Sequence, residues 1–182
     1  MALTLRAALL LPVIPCLAHA EGDRALSVGI GWATFSAPAE MMDSMQPTST
    51  SPTIGGALGV TYEHAVGSDF SLRGELAGGL FYGGNAEDQT KVSYAGLVDA
   101  GVTFRFDVLK YVPYAFGGIG ALVTTGGPLA RDIAPELVVG GGLDVLLSRA
   151  TSWGIEGRLA AFGGDVTVFT LGLRGTTRWG YF

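Results

Sequence analysis

Ten charged residues of the sequence lie in stretches that alternate between apolar and polar residues, always on the polar side. They are Glu63, Arg73, Glu75, Asp99, Arg105, Glu136, Asp144, Glu156, Arg158 and Arg174. In a β-strand such residues project from one face, so six acids and four bases would share one surface. Charged side chains are tolerated in an interior when opposite charges pair. The spacing therefore predicts an interior ion-pair network, and the alternative is a gated pore or a proton path through it.

The same residues are poorly placed for catalysis. Glu136 and Asp144 are eight residues apart in one segment, which separates them by about 26 Å at ~3.3 Å per residue, too far for a joint acid–base site. His64 is the one histidine after residue 20, and Cys16 is the one cysteine of the chain. A metal site or a nucleophile–base pair would need further partners. We therefore expect no catalytic residue, no cofactor and no metal, and we expect that the protein is not an enzyme.

The residues after position 20 divide into segments of alternating hydrophobicity separated by turn residues. The segments are 25–36, 54–66, 70–82, 91–106, 111–123, 134–147, 153–162 and 166–181. The links between them alternate between tight turns and longer connections, of which 37–53 is the longest. This organisation predicts an all-β fold, an eight-stranded antiparallel up-and-down β-barrel.

The composition indicates which row of side chains faces outward. Charged residues make up 15% of the chain, compared with about 25% in soluble domains, so the polar row is too poor in charge for a solvated surface. No stretch after residue 20 is long and apolar enough for a transmembrane helix, and a membrane protein without such helices must close its sheet. We therefore expect a transmembrane barrel with the apolar row against lipid. The charged row would fill its narrow lumen.

Aromatic residues near the strand ends are expected at the two membrane interfaces, which favour rings with an apolar body and a polar edge. The predicted girdle residues are Trp32, Tyr82, Tyr94, Tyr114, Trp153, Trp179 and Tyr181. Tyr114, Trp153, Trp179 and Tyr181 are assigned to the periplasmic strand ends, whereas Trp32, Tyr82 and Tyr94 are assigned to the outer strand ends together with Phe35 and Phe81. The alternative is a soluble barrel whose apolar row lines a cavity for a lipophilic ligand.

The first 20 residues have the pattern of a cleaved secretory signal peptide. Arg6 supplies the positive start, an apolar run covers residues 7–14, and Ala18-His19-Ala20 is an A-x-A cleavage site. Residues 21–182 then form the barrel domain. The formal net charge of −5 argues against a nucleic-acid partner, which requires a basic surface.

The segment YVPYAFGGIGA at Tyr111 to Ala121 resembles the corresponding segment of the OmpA/OmpX-like superfamily of outer-membrane barrel domains. The stretches WGIEGRLAAF and TVFTLGLRG near the carboxyl terminus are similar to the last strands of that domain. The resemblance implies an eight-stranded barrel with a periplasmic amino terminus in the outer membrane, and no shared catalytic residues. It also implies that Phe182 is the signal read by the barrel-assembly machinery, although Phe182 falls on the opposite face to Trp179 and Tyr181.

The predicted function is a structural or surface-interaction role, in envelope integrity or in adhesion through the outer loops. The loop 37–53 is the candidate partner surface, because Met41, Met42 and Met45 are adaptable side chains; the alternative is a variable loop without a partner. Two further functions are compatible with the sequence: a narrow channel for ions or small solutes, and ligand binding by a soluble periplasmic barrel. A lipid-modifying barrel enzyme is disfavoured, because it would need a His and Ser pair on the outer side.

Overall fold

The computed structural model describes residues 23–39, 48–84, 92–106, 110–127, 129, 131–161 and 166–180. The predicted signal peptide, the central part of loop 37–53, Tyr181 and Phe182 lie outside the described residues.

Nine β-strands make up the described structure. Their bounds are β1 Arg24–Ala39, β2 Thr48–Thr50, β3 Ile54–Ala65, β4 Phe70–Tyr82, β5 Val92–Arg105, β6 Tyr111–Thr125, β7 Asp132–Leu146, β8 Thr151–Ala161 and β9 Thr167–Trp179. The eight long strands agree with the eight predicted segments to within three residues at each end. The short strand β2 is not predicted by the sequence. No helix in this part of the chain is long and apolar enough to cross a membrane.

The eight long strands form one closed antiparallel sheet. Each pairs with its neighbour along the chain, and β1 pairs with β9 from Arg24–Trp179 to Ser36–Thr167, which closes the barrel. Strand β2 pairs only with the end of β1, from Ala37–Thr50 to Ala39–Thr48. The prediction of an all-β, eight-stranded antiparallel barrel is confirmed.

The two ends of the barrel differ in their connections. One end, called here the turn end, has the short connections 66–69, 106–110 and 147–150 together with the start of β1 and the end of β9. The other, called here the loop end, has the connections 40–53, 83–91, 126–131 and 162–166. Such an alternation is typical of single-chain barrels that span a membrane.

The outward row of every long strand is apolar or small. Large hydrophobic side chains are exposed there, among them Ile30, Leu76 and Ile119, which is 72% exposed. Among the described strand residues that point outward, the one with a formal charge is Arg24, at the turn end. Inward positions instead hold the buried charged side chains, because successive residues of a strand face opposite sides. This is the reverse of a soluble barrel.

Candidate functional site

The half of the interior nearer the turn end is filled by an ion-pair network. Eight of the ten residues predicted for the interior take part, and all are mostly buried. They are Glu63, Arg73, Glu75, Arg105, Asp144, Glu156, Arg158 and Arg174. Arg178 was not among the ten predicted residues, but it joins the network through Asp144, whose Oδ2 lies 3.0 Å from Nη2 of Arg178.

Each carboxylate of the network meets more than one donor. Arg174 places Nη2 3.1 Å from Asp144 Oδ2 and Nη1 3.0 Å from Glu156 Oε2. Arg73 and Arg158 both pair with Glu75. The pairs cross the lumen between distant strands, so the network connects opposite walls of the barrel as well as neighbouring strands. Buried charges are stable only with this degree of compensation.

Near the turn end, Glu63 ties three strands together. Its carboxylate pairs with Arg105 and accepts a hydrogen bond of 3.0 Å from the hydroxyl of Thr103. Arg105 in turn donates to the hydroxyl of Ser71 across 3.0 Å. These contacts join β3, β4 and β5 at the edge of the network that is nearest the turn end.

Two inward aromatic rings of β6 pack against arginines of the network. Tyr114 is 4% exposed, donates a 3.0 Å hydrogen bond to Glu156, and lies 4.2 Å beneath the guanidinium of Arg174. The centroid of the Phe116 ring lies 3.7 Å from the guanidinium carbon of Arg73. The assignment of Tyr114 to the aromatic girdle at the periplasmic strand ends is therefore wrong: its even position puts it on the inward row, where it makes a cation–π contact with an arginine.

The glycines of β7 make room for these rings. Gly142 pairs with Tyr114 and Gly140 with Phe116 in the β6–β7 register. A β-carbon at Gly142 would collide with the hydroxyl oxygen of Tyr114 and with the carbonyl oxygen of Ile155. Gly140 and Gly142 are thus the positions at which the inward rings of Phe116 and Tyr114 approach the backbone of β7.

We expect Gly142→Ala to lower the free energy of unfolding by roughly 1–3 kcal/mol, because the added methyl group overpacks the interior. Gly96→Ala is the matched control, since a β-carbon there meets no atom within 4 Å. Urea unfolding of both variants in detergent, followed by tryptophan fluorescence, measures the difference. Equal midpoints for the two variants would show that the ring does not need the glycine.

The half of the interior nearer the loop end is mainly apolar, a feature that the alternation of the sequence did not predict. Phe35 and Phe81 are almost fully buried there, and their rings meet edge to face with centroids 5.1 Å apart. Their assignment to the outer girdle is wrong. Small and aliphatic side chains complete this apolar plug: Ala33, Ala37, Ala77, Ala95, Leu97, Leu122, Leu129, Val138, Ala160 and Val168.

Asp99 and Glu136, the last two of the ten predicted residues, are inward but stay outside the ion-pair network. They flank Gly120 in the registers of β5–β6 and β6–β7. Within the described part of the chain, neither oxygen of Glu136 nor Oδ2 of Asp99 has a hydrogen-bond partner. Glu136 is 3% exposed. Its carboxyl group is therefore buried beside the apolar plug without compensation.

The remaining girdle residues point outward in two rows. Trp32, Tyr82 and Tyr94 lie on the half nearer the loop end, whereas Trp153 and Trp179 lie towards the turn end. All five are between 40% and 52% exposed. Trp32 packs against Phe169, with centroids 6.0 Å apart. The apolar band of the wall lies between these rows.

Little space remains between the packed side chains. A cavity of about 40 Å³ lies beside the network and one of about 20 Å³ lies within the apolar plug. A water molecule needs roughly 10–15 Å³ on this scale, so each cavity holds a few waters at most. The alternative of a soluble barrel with a lipophilic ligand is contradicted, because the apolar row faces outward and the plug has no room for a lipid.

The structure does not assemble a metal or catalytic centre from the residues it describes. It contains no group of three or more His, Cys, Asp or Glu that could hold a metal ion. His64 lies near the turn end, where it pairs with Arg24 and Leu72, and the described residues of the loop end include no histidine. The absence of enzymatic activity stays a prediction.

Comparison with known proteins identifies the fold. Neither a protein-family model nor a curated protein sequence matches the chain. Ail, the attachment invasion locus protein of Yersinia pestis, is 17% identical with a TM-score of 0.58, over 88% of this chain and 100% of Ail. Ail has also been solved as an outer membrane protein in a phospholipid bilayer nanodisc.

Two further structures show the same similarity. Neisserial surface protein A is 12% identical with a TM-score of 0.64, over 87% of this chain and 99% of that protein. The N-terminal β-barrel domain of Pseudomonas aeruginosa OprF is 11% identical with a TM-score of 0.56, over 87% of this chain and 98% of that domain. The chain therefore has the fold of the small, eight-stranded outer-membrane β-barrels of the OmpA/OmpX-like type.

Proposed function

We propose that the protein is an outer-membrane barrel with a closed lumen, which acts as a structural or surface-interaction element of the envelope. In this arrangement the turn end faces the periplasm and the loop end faces the exterior. The barrel-assembly machinery inserts the chain after signal-peptide cleavage near Ala20, and the terminal Phe182 serves as its recognition signal. The lipid of the outer membrane is the partner of the apolar wall.

One observation carries the membrane location: in the described strands, charged side chains are confined to the interior and the strand ends, while the outward rows expose isoleucine, leucine and valine. A wall of this kind in water would leave a large apolar patch on every side, which soluble monomers avoid. The long strands have 11 to 16 residues, and a tilted strand needs about 9–11 residues to cross the hydrocarbon core. The outward aromatic rows are placed to lie at the two interfaces.

The filled interior favours a role without transport. The network blocks the half of the lumen nearer the turn end, and the apolar plug blocks the other half. A narrow channel remains the second candidate. Because ion pairs cross the lumen, conduction would require a rearrangement that opens both halves. The surface role rests on the loops and on the extension of β1 and β2 beyond the closed wall, where Ala37 to Ala39 pair with Thr48 to Thr50.

Fractionation of the expressed protein tests the location. We expect recovery in the outer membrane, with an electrophoretic mobility that changes on boiling because a stable barrel resists detergent until it is heated. Recovery in the soluble periplasm without a mobility shift would refute the membrane assignment.

Deletion of residues 40–47 tests the surface role. In a strain that lacks the gene, we expect the full-length protein to restore binding to a surface or resistance to envelope stress. The deleted protein should reach the outer membrane in equal amount but not restore that property. Deletion of 85–90, in the next loop of the same end, is the control. If both deletions and the full-length protein behave alike in adhesion and in envelope stress, loop 37–53 is not a partner surface.

A further inference from the structure

A cavity of about 370 Å³ opens at the turn end, next to the part of the network that contains Glu63 and Arg105. This volume is within the range of small-molecule binding sites and is far larger than the two cavities deeper in the barrel. The charged residues of its lining come from opposite sides of the barrel, and are Asp23, Arg24, Glu63, Arg105, Arg149 and Arg178. Four arginines against two acids give it a local excess of positive charge, in a chain whose net charge is −5.

Acidic groups neutralise the arginines at the inner side of the cavity. The carboxylate of Glu63 is engaged by Arg105 and by the hydroxyl of Thr103, at the inner side of the cavity. Arg178 is likewise held, donating to Asp144 across 3.0 Å and to Ser152 across 2.9 Å. Both arginines are therefore held in place by acidic partners and form the fixed base of the cavity.

The outer rim of the cavity carries Arg24 and Arg149. Both are exposed, and neither makes an ion pair with any described residue. Their guanidinium groups come from different elements, the start of β1 and the turn between β7 and β8. Arg105 and Arg178, which are held in ion pairs, lie at the base of the cavity. Together with Arg24 and Arg149 at the rim they make a concave basic site, which concentrates anions.

We propose that this cavity binds a phosphate group. A guanidinium fork matches the oxygens of phosphate and forms short, charge-assisted hydrogen bonds with them. The phosphate can belong to a phospholipid headgroup from the adjacent membrane leaflet or to a soluble phosphate ester. The proposal concerns the turn end of the barrel and does not depend on what the loops bind.

Titration with inorganic phosphate tests the site, using the refolded full-length barrel in a detergent without phosphate groups and isothermal calorimetry as the readout. The variant Arg24→Ala/Arg149→Ala removes the rim. The variant Lys91→Ala/Arg131→Ala removes the same charge from the loop-end connections and is the matched control. We expect saturable binding by the wild type and the control, and at least tenfold weaker binding by the rim variant. The boiling-dependent mobility shift checks that all three proteins are folded.

Absence of saturable binding by the wild type, or equal affinity for all three proteins, would overturn the proposal. The source of the phosphate follows from a repeat of the titration after addition of phosphatidylglycerol. Competition by the lipid would assign the site to a headgroup. Unchanged affinity would assign it to a soluble phosphate ester.

Discussion

Arg174→Met is expected to lower the free energy of unfolding by about 3–5 kcal/mol, since removal of one partner leaves buried charges uncompensated. Arg174 contacts Asp144, Glu156 and the ring of Tyr114. It therefore holds two carboxylates of the network and also packs against an aromatic ring. The change should appear as a lower urea midpoint in detergent and as a lower temperature for the mobility shift.

Arg131→Met is the matched control for this variant, because Arg131 is exposed at the loop end. Its effect should be within about 0.5 kcal/mol, as for most surface substitutions. If Arg174→Met were as stable as the control, the network would not contribute to the stability of the barrel.

Glu136→Met is expected to act in the opposite direction and to raise the free energy of unfolding by about 1–4 kcal/mol. A buried carboxyl group without a partner is costly, and an apolar side chain of similar volume removes that cost. The neighbouring apolar plug, including Leu122 and Val138, is a suitable environment for the methionine. The same urea titration measures the gain.

Glu75→Met is the comparison that isolates the role of the partners. Glu75 is also an inward glutamate, but it pairs with Arg73 and Arg158. Its replacement leaves Arg158 without an ion pair among the described residues and removes one of the two carboxylates that Arg73 contacts closely, so it should destabilise the barrel. A loss of stability in Glu136→Met as large as that in Glu75→Met would mean that Glu136 has a stabilising partner in the folded barrel.

The strands were predictable because their signal is local. Alternation of apolar and polar residues sets the two faces of each strand, and turn residues set the ends. Strand β2 was not predictable in this way: it has three residues, and it exists through its pairing with the end of β1. The ten interior charged residues were predicted from the same alternation, and the structure places all ten inward: eight are buried, and Arg105 and Glu156 pair with buried residues of the network.

The contacts inside the barrel were less predictable, because they join residues far apart in the chain. Nothing local distinguishes Glu136, which has no partner among the described residues, from Glu156, which has several. The position of Tyr114 was available from the sequence, since it shares the inward row with Val112 and Phe116. Residue type alone, however, favoured the girdle. Phe35 and Phe81 were misassigned for the same reason, and the apolar plug was missed with them.

Conductance across a planar lipid bilayer tests the closed lumen most directly. The protein is inserted from detergent at neutral pH, and insertion is verified independently by protease protection of the barrel in vesicles of the same lipid. We expect the inserted protein to leave the bilayer without steady conductance, because the ion-pair network and the apolar plug close the two halves of the lumen in series. A steady, porin-like conductance that scales with the amount of inserted protein would contradict the closed interior and would favour the channel.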